Sequence, residues 1–323
     1  MIDLEDVAAA ARRIAPHAHE TPVFTSRALS ELAGAELFFK CENFQRVGAF
    51  KFRGACNAVL SLGDDEARPG VATHSSGNHA QAVALAAQIR GVTAHIVMPE
   101  NAPAVKVAAV REYGGAITFC EPTLASREST LRGGVAETGS AVVHPYDDDR
   151  VIAGQGTAAL ELLGQVDGLD VVCAPVGGGG LISGTAITVK ALLPEARVVA
   201  AEPEAADDAF RSMKAGRIVP SVDPQTISDG LRTSLGRRNF AIMRAHDVEV
   251  VTVSEAETAG ALRLVLERMK LLIEPSSAVP VAAALAGRLS RGARNARIGI
   301  ILTGGNVDIE RLSAILEVNE SSR

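Results

Sequence analysis

The sequence predicts an α/β protein built on two open, twisted, mostly parallel sheets with helices on both faces. Three observations predict it. Short apolar, β-branched runs alternate with Ala-rich helical stretches along the chain. Several runs are continuously apolar, as strands covered on both faces must be. The chain has 323 residues and 47% hydrophobic content, and single cores tend to split beyond roughly 250–300 residues.

The elements follow in order. Residues 36–41 and 71–74 read as strands, and the second runs into a helix over 77–90. Strand 93–98 is followed by helix 103–113, and strands 116–120 and 141–144 come next. Strand 170–176 leads through four glycines into helix 180–193. Strands 197–202 and 248–253 follow, then a helix over 256–272 opened by a capping box, Ser254 with Glu257 three residues on. Strand 297–303 ends the series. The compact run of short βα units predicts a small domain over 71–146, and residues 1–70 plus 147–323 a larger one. The cleft between them is the expected site.

Composition narrows the function classes. The net charge is −6 with no Lys/Arg block, so the electrostatic footprint of a nucleic-acid binder is missing. No apolar run reaches the ~20 residues of a bilayer span. The acidic start, Met1 to Asp6, lacks the basic-then-apolar order of a signal peptide. Cys41, Cys56, Cys120 and Cys173 are far apart with no CxxC spacing, and read as reduced thiols of a cytoplasmic protein. Aromatics are 3% with no Trp, so aliphatic side chains must fill the core.

Four stretches could carry chemistry. Strand residues Val171 to Val176 run into Gly177, Gly178, Gly179 and Gly180 and then a helix. Uncovered amides at a helix N-terminus make a phosphate cradle, where the plain alternative is a flexible loop. The stretch matches neither the Walker nor the dinucleotide fingerprint. Lys51 stands between Phe50 and Phe52. It either snorkels to solvent or is a desolvated amine able to form a Schiff base. Ser75, Ser76, Gly77, Asn78 and His79 open a helix. They cap it, or they hold a carboxylate on its N-terminal amides. Finally, an apolar strand ends in Thr303-Gly304-Gly305, a strand–turn or, at a strand C-terminus, a ligand position.

Together these stretches resemble the fold type II pyridoxal-phosphate enzymes, specifically the serine racemase and serine/threonine dehydratase branch, which includes 3-hydroxyaspartate dehydratases. The likeness runs from Thr21-Pro22 to Val307-Asp308 and includes Phe39 to Gln45, Ser75 to His79, Val151 to Thr157 and Glu267 to Pro275. It implies that Lys51 carries the cofactor, with Phe50 packed near the ring and the tetraglycine turn on the phosphate. It also implies Asn78 at the ring hydroxyl and Thr303 at the ring nitrogen. Ser75, Ser76, Gly77 and His79 would bind the substrate carboxylate, and Ser76 is placed as a second acid/base on the opposite face of Cα. Glu202, Asp208 and the Ala206 carbonyl match the branch's divalent-cation site, for Mg²⁺ or Ca²⁺.

The activity so implied is ammonia-lyase: elimination of water from L-serine, L-threonine or 3-hydroxyaspartate to give a 2-oxo acid and ammonia. An amino-acid racemase, a phenylserine dehydratase and a non-catalytic amino-acid sensor are the alternatives. Two positions depart from the branch's usual pattern, Ala49 for Ser or Thr and Thr303 for Ser. A hydroxyaspartate substrate needs a cation at its second carboxylate; Arg127 is the first candidate, with Arg150 and Arg232 behind it. A homodimer is expected from the family likeness. The only other partner expected is the amino-acid substrate.

Overall fold

The computed structural model describes residues 2–75, 77–102, 104–293 and 295–318. Ten strands are present among them: β1 Val23–Thr25, β2 Glu36–Cys41, β3 Val71–His74, β4 Ala94–Pro99, β5 Ala116–Cys120, β6 Ala141–Val142, β7 Val171–Pro175, β8 Arg197–Pro203, β9 Glu249–Val253 and β10 Arg297–Leu302. They form a six-stranded sheet, β1-β2-β10-β7-β8-β9, and a four-stranded sheet, β5-β4-β3-β6. Every pairing is parallel except β1 with β2. No helix among the described residues is long and apolar enough to cross a membrane.

The large sheet is apolar on both faces because its strands alternate between two cores. Val171 and Cys173 of β7 face one cluster, and Val172 and Ala174 the other, the period-two division of a pleated strand. Helix Pro275–Leu285 packs in the first cluster, and helices Asp149–Gln165 and Gly180–Leu192 in the second.

Glycine sets the distances between the helices that carry the site. A Cβ on Gly154 would lie 2.6 Å from the Arg53 carbonyl, and one on Gly184 would lie 2.5 Å from the Gly156 amide. The Lys51–Leu60, Asp149–Gln165 and Gly180–Leu192 helices therefore meet backbone to backbone. This couples the lysine-bearing helix to the helix that follows the tetraglycine turn.

Two details differ from the sequence reading. Edge strand β1 spans three residues, too short for a periodic signal. The helix expected over 256–272 is Glu255–Leu264, followed by a π-turn over Val265–Met269 and a left-handed Lys270 with φ 61°. The π-turn redirects the chain so that the Glu274 amide reaches the Gly304 carbonyl at 2.9 Å. The capping box at Ser254 and Glu257 forms, at 2.8 and 3.1 Å.

Candidate active site

The candidate residues gather at the C-terminal ends of β3, β7 and β10, where parallel sheets present their ligand sites. Ala49 bridges Gly304, and the Phe50 amide donates to the Thr303 carbonyl at 2.9 Å. Lys51 is thus hung from the end of β10. Its Nζ donates to the Pro145 carbonyl at 2.9 Å and stands 5.1 Å from the centre of the Phe50 ring. Burial disfavours the ammonium and pushes its pKa down to about 8, against the opposing pull of Glu274. The amine faces the interior rather than snorkelling outward.

A buried ion network fixes that helix from below. The Arg53 guanidinium holds Glu42 through Nε at 2.7 Å and Nη2 at 2.8 Å, and Glu161 at 2.7 Å through both terminal nitrogens. Lys40 adds a bond to Glu161 at 2.6 Å. Two cations meet two anions, so the network is neutral, which is what allows it to be buried.

The tetraglycine turn is buried throughout. Among the described residues no protein acceptor takes the amides of Gly177, Gly178 or Gly179. Buried N–H groups without partners are costly, and three at a helix start call for an anionic ligand. A Cβ on Gly178 would lie 2.2 Å from the Tyr146 ring, and Gly179 takes φ +93°. Asn239 clips the turn to the segment beside Lys51, donating to the Gly178 carbonyl at 2.7 Å and the Tyr146 carbonyl at 3.0 Å. The Thr233 hydroxyl bonds the Tyr146 phenol at 2.9 Å. A phosphate on this turn, with its ring reaching toward Lys51, fits the residues present.

Asn78 opens the helix after β3. Its amide donates to both oxygens of Glu274, at 3.0 and 3.2 Å, and its oxygen accepts from Asn306 at 3.0 Å. Glu274 is buried, and that burial, with Asp229 nearby, raises its carboxyl to about 7. Thr303 is 2% exposed, and its hydroxyl meets that of Ser277 at 2.9 Å.

Of the expected carboxylate-binding stretch, Ser75 accepts the Gly77 amide at 3.2 Å on its hydroxyl, and its own amide is spent on the Val97 carbonyl. His79 is buried with Nε2 3.1 Å from the Val143 carbonyl, and desolvation holds it well below its ordinary pKa. Its ring is therefore neutral, with Nε2 spent on the fold and Nδ1 buried without a partner among the described residues. Ser76 lies outside the described residues.

Three basic groups line the same region. The His74 and His144 rings stand edge to face at 6.5 Å, and His144 meets the Tyr146 ring at 4.7 Å. His144 Nδ1 accepts the amides of Tyr146 and Asp147 at 3.3 and 2.9 Å, so the neutral ring carries its proton on Nε2. Burial, then His144 and Arg127, lower the pKa of His74. Arg127 is half-buried, with one contact to the Thr123 carbonyl at 3.4 Å. Arg150 is committed to Asp148 and Glu66, each at 3.2 Å, and Arg232 to the Thr226 carbonyl.

Glu202, next to last in β8, is fully buried, its oxygens taking the Ala209 and Phe210 amides at 2.9 and 2.8 Å. Asp208 accepts the Leu235 amide at 2.8 Å, and its Oδ1 is buried without a partner. Desolvation raises Glu202 to about 9 and Asp208 to about 6. Two buried carboxylates and an orphaned oxygen suit a hard cation. Among the described residues no group of three or more His, Cys, Asp or Glu side chains converges, so Ala206 would supply a backbone oxygen.

Sequence reading missed Pro145, Tyr146, Ser277 and Glu274. Only Glu274 left a signal, a lone acid after the apolar Leu271-Leu272-Ile273 run. The others act through a carbonyl, a ring face and a hydroxyl with no motif of their own.

Comparison with known proteins agrees with this geometry. The family model described as pyridoxal-phosphate dependent enzyme matches residues 14–304. The beta-hydroxyaspartate dehydratase of Paracoccus denitrificans is 54% identical over 308 residues, covering 95% of this chain and 97% of that protein. The serine racemase of Dictyostelium discoideum is 48% identical over 317 residues, 98% of each. The crystal structure of the T.th. threonine deaminase superposes with a TM-score of 0.90 at 47% identity, covering 95% of this chain and 99% of that one.

Proposed function

The chain belongs to the pyridoxal-phosphate dependent enzymes, and on that premise we propose an ammonia-lyase that eliminates water from a β-hydroxy amino acid, 3-hydroxyaspartate foremost. The observation that carries the substrate is the group of His74, His144 and Arg127, in which two half-buried neutral imidazoles offer N–H donors, Arg127 supplies the charge and His144 lies within electrostatic reach of Lys51. It suits a substrate with a second carboxylate better than a phenyl or methyl group. The 54% identity to a beta-hydroxyaspartate dehydratase supports it.

When bound, pyridoxal phosphate supplies an electron sink conjugated to the substrate's α-carbon. Gly177 to Gly180 would hold the phosphate on their amides, Phe50 would pack by the ring, and Asn78 and Thr303 would serve the ring hydroxyl and the ring nitrogen. Lys51 Nζ, with its pKa near 8, takes the α-proton, and the Pro145 carbonyl steadies the resulting ammonium. Thr303 is uncharged, so it would offer the ring nitrogen a hydroxyl and not an anionic partner. Water leaves, water returns on hydrolysis, and a 2-oxo acid and ammonium result. Gly77 and its neighbouring amides receive the α-carboxylate, and Arg127 the second one. Glu202, Asp208 and the Ala206 carbonyl would hold a divalent cation.

Residues 71–146 form the smaller domain, and the protein works as a cytoplasmic homodimer. Four buried, unpaired cysteines support the compartment, and the exposed Phe24–Phe44 pair supports self-association.

The test is a substrate panel of serine, threonine, both hydroxyaspartate diastereomers and phenylserine, assayed for 2-oxo acid, ammonia and inverted amino acid. Arg127→Ala should cost a hydroxyaspartate substrate roughly 2–3 kcal/mol, about 30- to 150-fold in kcat/KM, and spare serine. Equal loss on both refutes the carboxylate role. The serine racemase relative favours racemisation as the second reading; inverted serine exceeding pyruvate would establish it.

A further inference from the structure

Ser277 lies directly behind Thr303, and its hydroxyl is saturated. Both side chains are buried, at 0% and 2% exposure. Ser277 Oγ accepts the Gly304 amide at 2.8 Å, reaches the Gly304 carbonyl at 2.8 Å and meets Thr303 Oγ1 at 2.9 Å. It owns one proton for two acceptors. The Gly304 carbonyl also takes the Glu274 amide at 2.9 Å, so it stays bonded wherever that proton goes.

Two arrangements follow without moving a heavy atom. In the first, Ser277 donates to the Gly304 carbonyl and Thr303 donates to Ser277, leaving Thr303 lone pairs toward the cleft. In the second, Ser277 donates to Thr303, and Thr303 directs its proton into the cleft. Neither orphans a buried group, so the choice passes to whatever faces Thr303.

Resting on the reading that Thr303 meets the cofactor's ring nitrogen, we propose that Ser277 is a positioning residue that lets Thr303 serve that nitrogen as either acceptor or donor. The hydroxyl pair accommodates a protonated ring nitrogen in the first arrangement and an unprotonated one in the second. Without Ser277 Oγ, Thr303 Oγ1 has no inward acceptor among the described residues, and its proton is left to the nitrogen.

The test is ¹⁵N NMR of holoenzyme reconstituted with ring-¹⁵N pyridoxal phosphate. Ser277→Ala should move the ring resonance toward the unprotonated position and flatten its pH dependence at full cofactor occupancy. Ser277→Thr, which keeps the hydroxyl, should restore the unmutated signal. Should the alanine variant fail to fold, Ser277→Cys, a weak acceptor, should move the resonance the same way. Thr303→Val controls the premise. A resonance moved by Thr303→Val and unmoved by Ser277→Ala or Ser277→Cys overturns the relay alone. A resonance that Thr303→Val leaves in place overturns the placement of Thr303, and the relay with it.

Discussion

The Asn78 side-chain amide rests on both carboxylate oxygens of Glu274, at 3.0 and 3.2 Å. A residue from the start of the helix after β3 is thereby tied to the segment leading into helix Pro275–Leu285. The carboxylate beneath it also acts electrostatically on Lys51. Glu274 is thus a shared support of the amine and of the amide assigned to the ring hydroxyl.

The amine's pKa is open to measurement in the apoenzyme. Only neutral Lys51 can bond to the cofactor's aldehyde, and burial lowers its pKa from 10.5 to about 8. The reconstitution rate should rise with pH through about 8 and level off above it. Glu274→Gln removes the charge that favours the ammonium, so the rise should move to lower pH. A midpoint near that of a free lysine would contradict the desolvated site.

The glycine turn gives a steric prediction. Alanine at Gly178 places its Cβ 2.2 Å from the Tyr146 ring, so the ring or the turn must move and the amides lose their alignment. Gly178→Ala should weaken pyridoxal phosphate binding at least tenfold, roughly 1.4 kcal/mol, measured by fluorescence titration of the apoenzyme. Unchanged affinity would remove the turn from the phosphate site.

Removing one partner from the Arg53 network leaves a buried charge uncompensated, which costs about 3–5 kcal/mol. Arg53→Met should lower unfolding stability by that amount in urea. The double variant Arg53→Met with Glu42→Gln should recover part of it. A loss below about 1 kcal/mol, the range of exposed pairs, would show the network to be solvated.

A cation held by Glu202 and Asp208 would stabilise the native state by mass action, about 2.7 kcal/mol at a hundred times its dissociation constant. Millimolar Ca²⁺ or Mg²⁺ should raise the melting temperature, and Asp208→Asn should abolish the rise. An equal rise in that variant would place the ion elsewhere.

The sheets were legible because their strands are short apolar runs bounded by glycine-rich turns; β3, β5 and β2 lie where the sequence puts them. The end of the helix after Ser254 was not, because a π-turn carries no compositional mark and Lys270 adopts a left-handed conformation without being glycine. At the site, Lys51, Asn78 and the tetraglycine turn stood out through side-chain chemistry or glycine spacing. Pro145 and Ser277 did not, since one contributes a carbonyl and the other a hydroxyl from 26 residues before Thr303. Periodicity reports burial, and only the folded chain brings such groups together.

The most direct test is borohydride reduction of the holoenzyme followed by peptide mapping. The phosphopyridoxyl group should be found on the peptide carrying Lys51, and Lys51→Ala should lose both the label and the cofactor's visible absorbance. A label on Lys40 or Lys106, or retained absorbance in the variant, would contradict Lys51 as the cofactor's anchor.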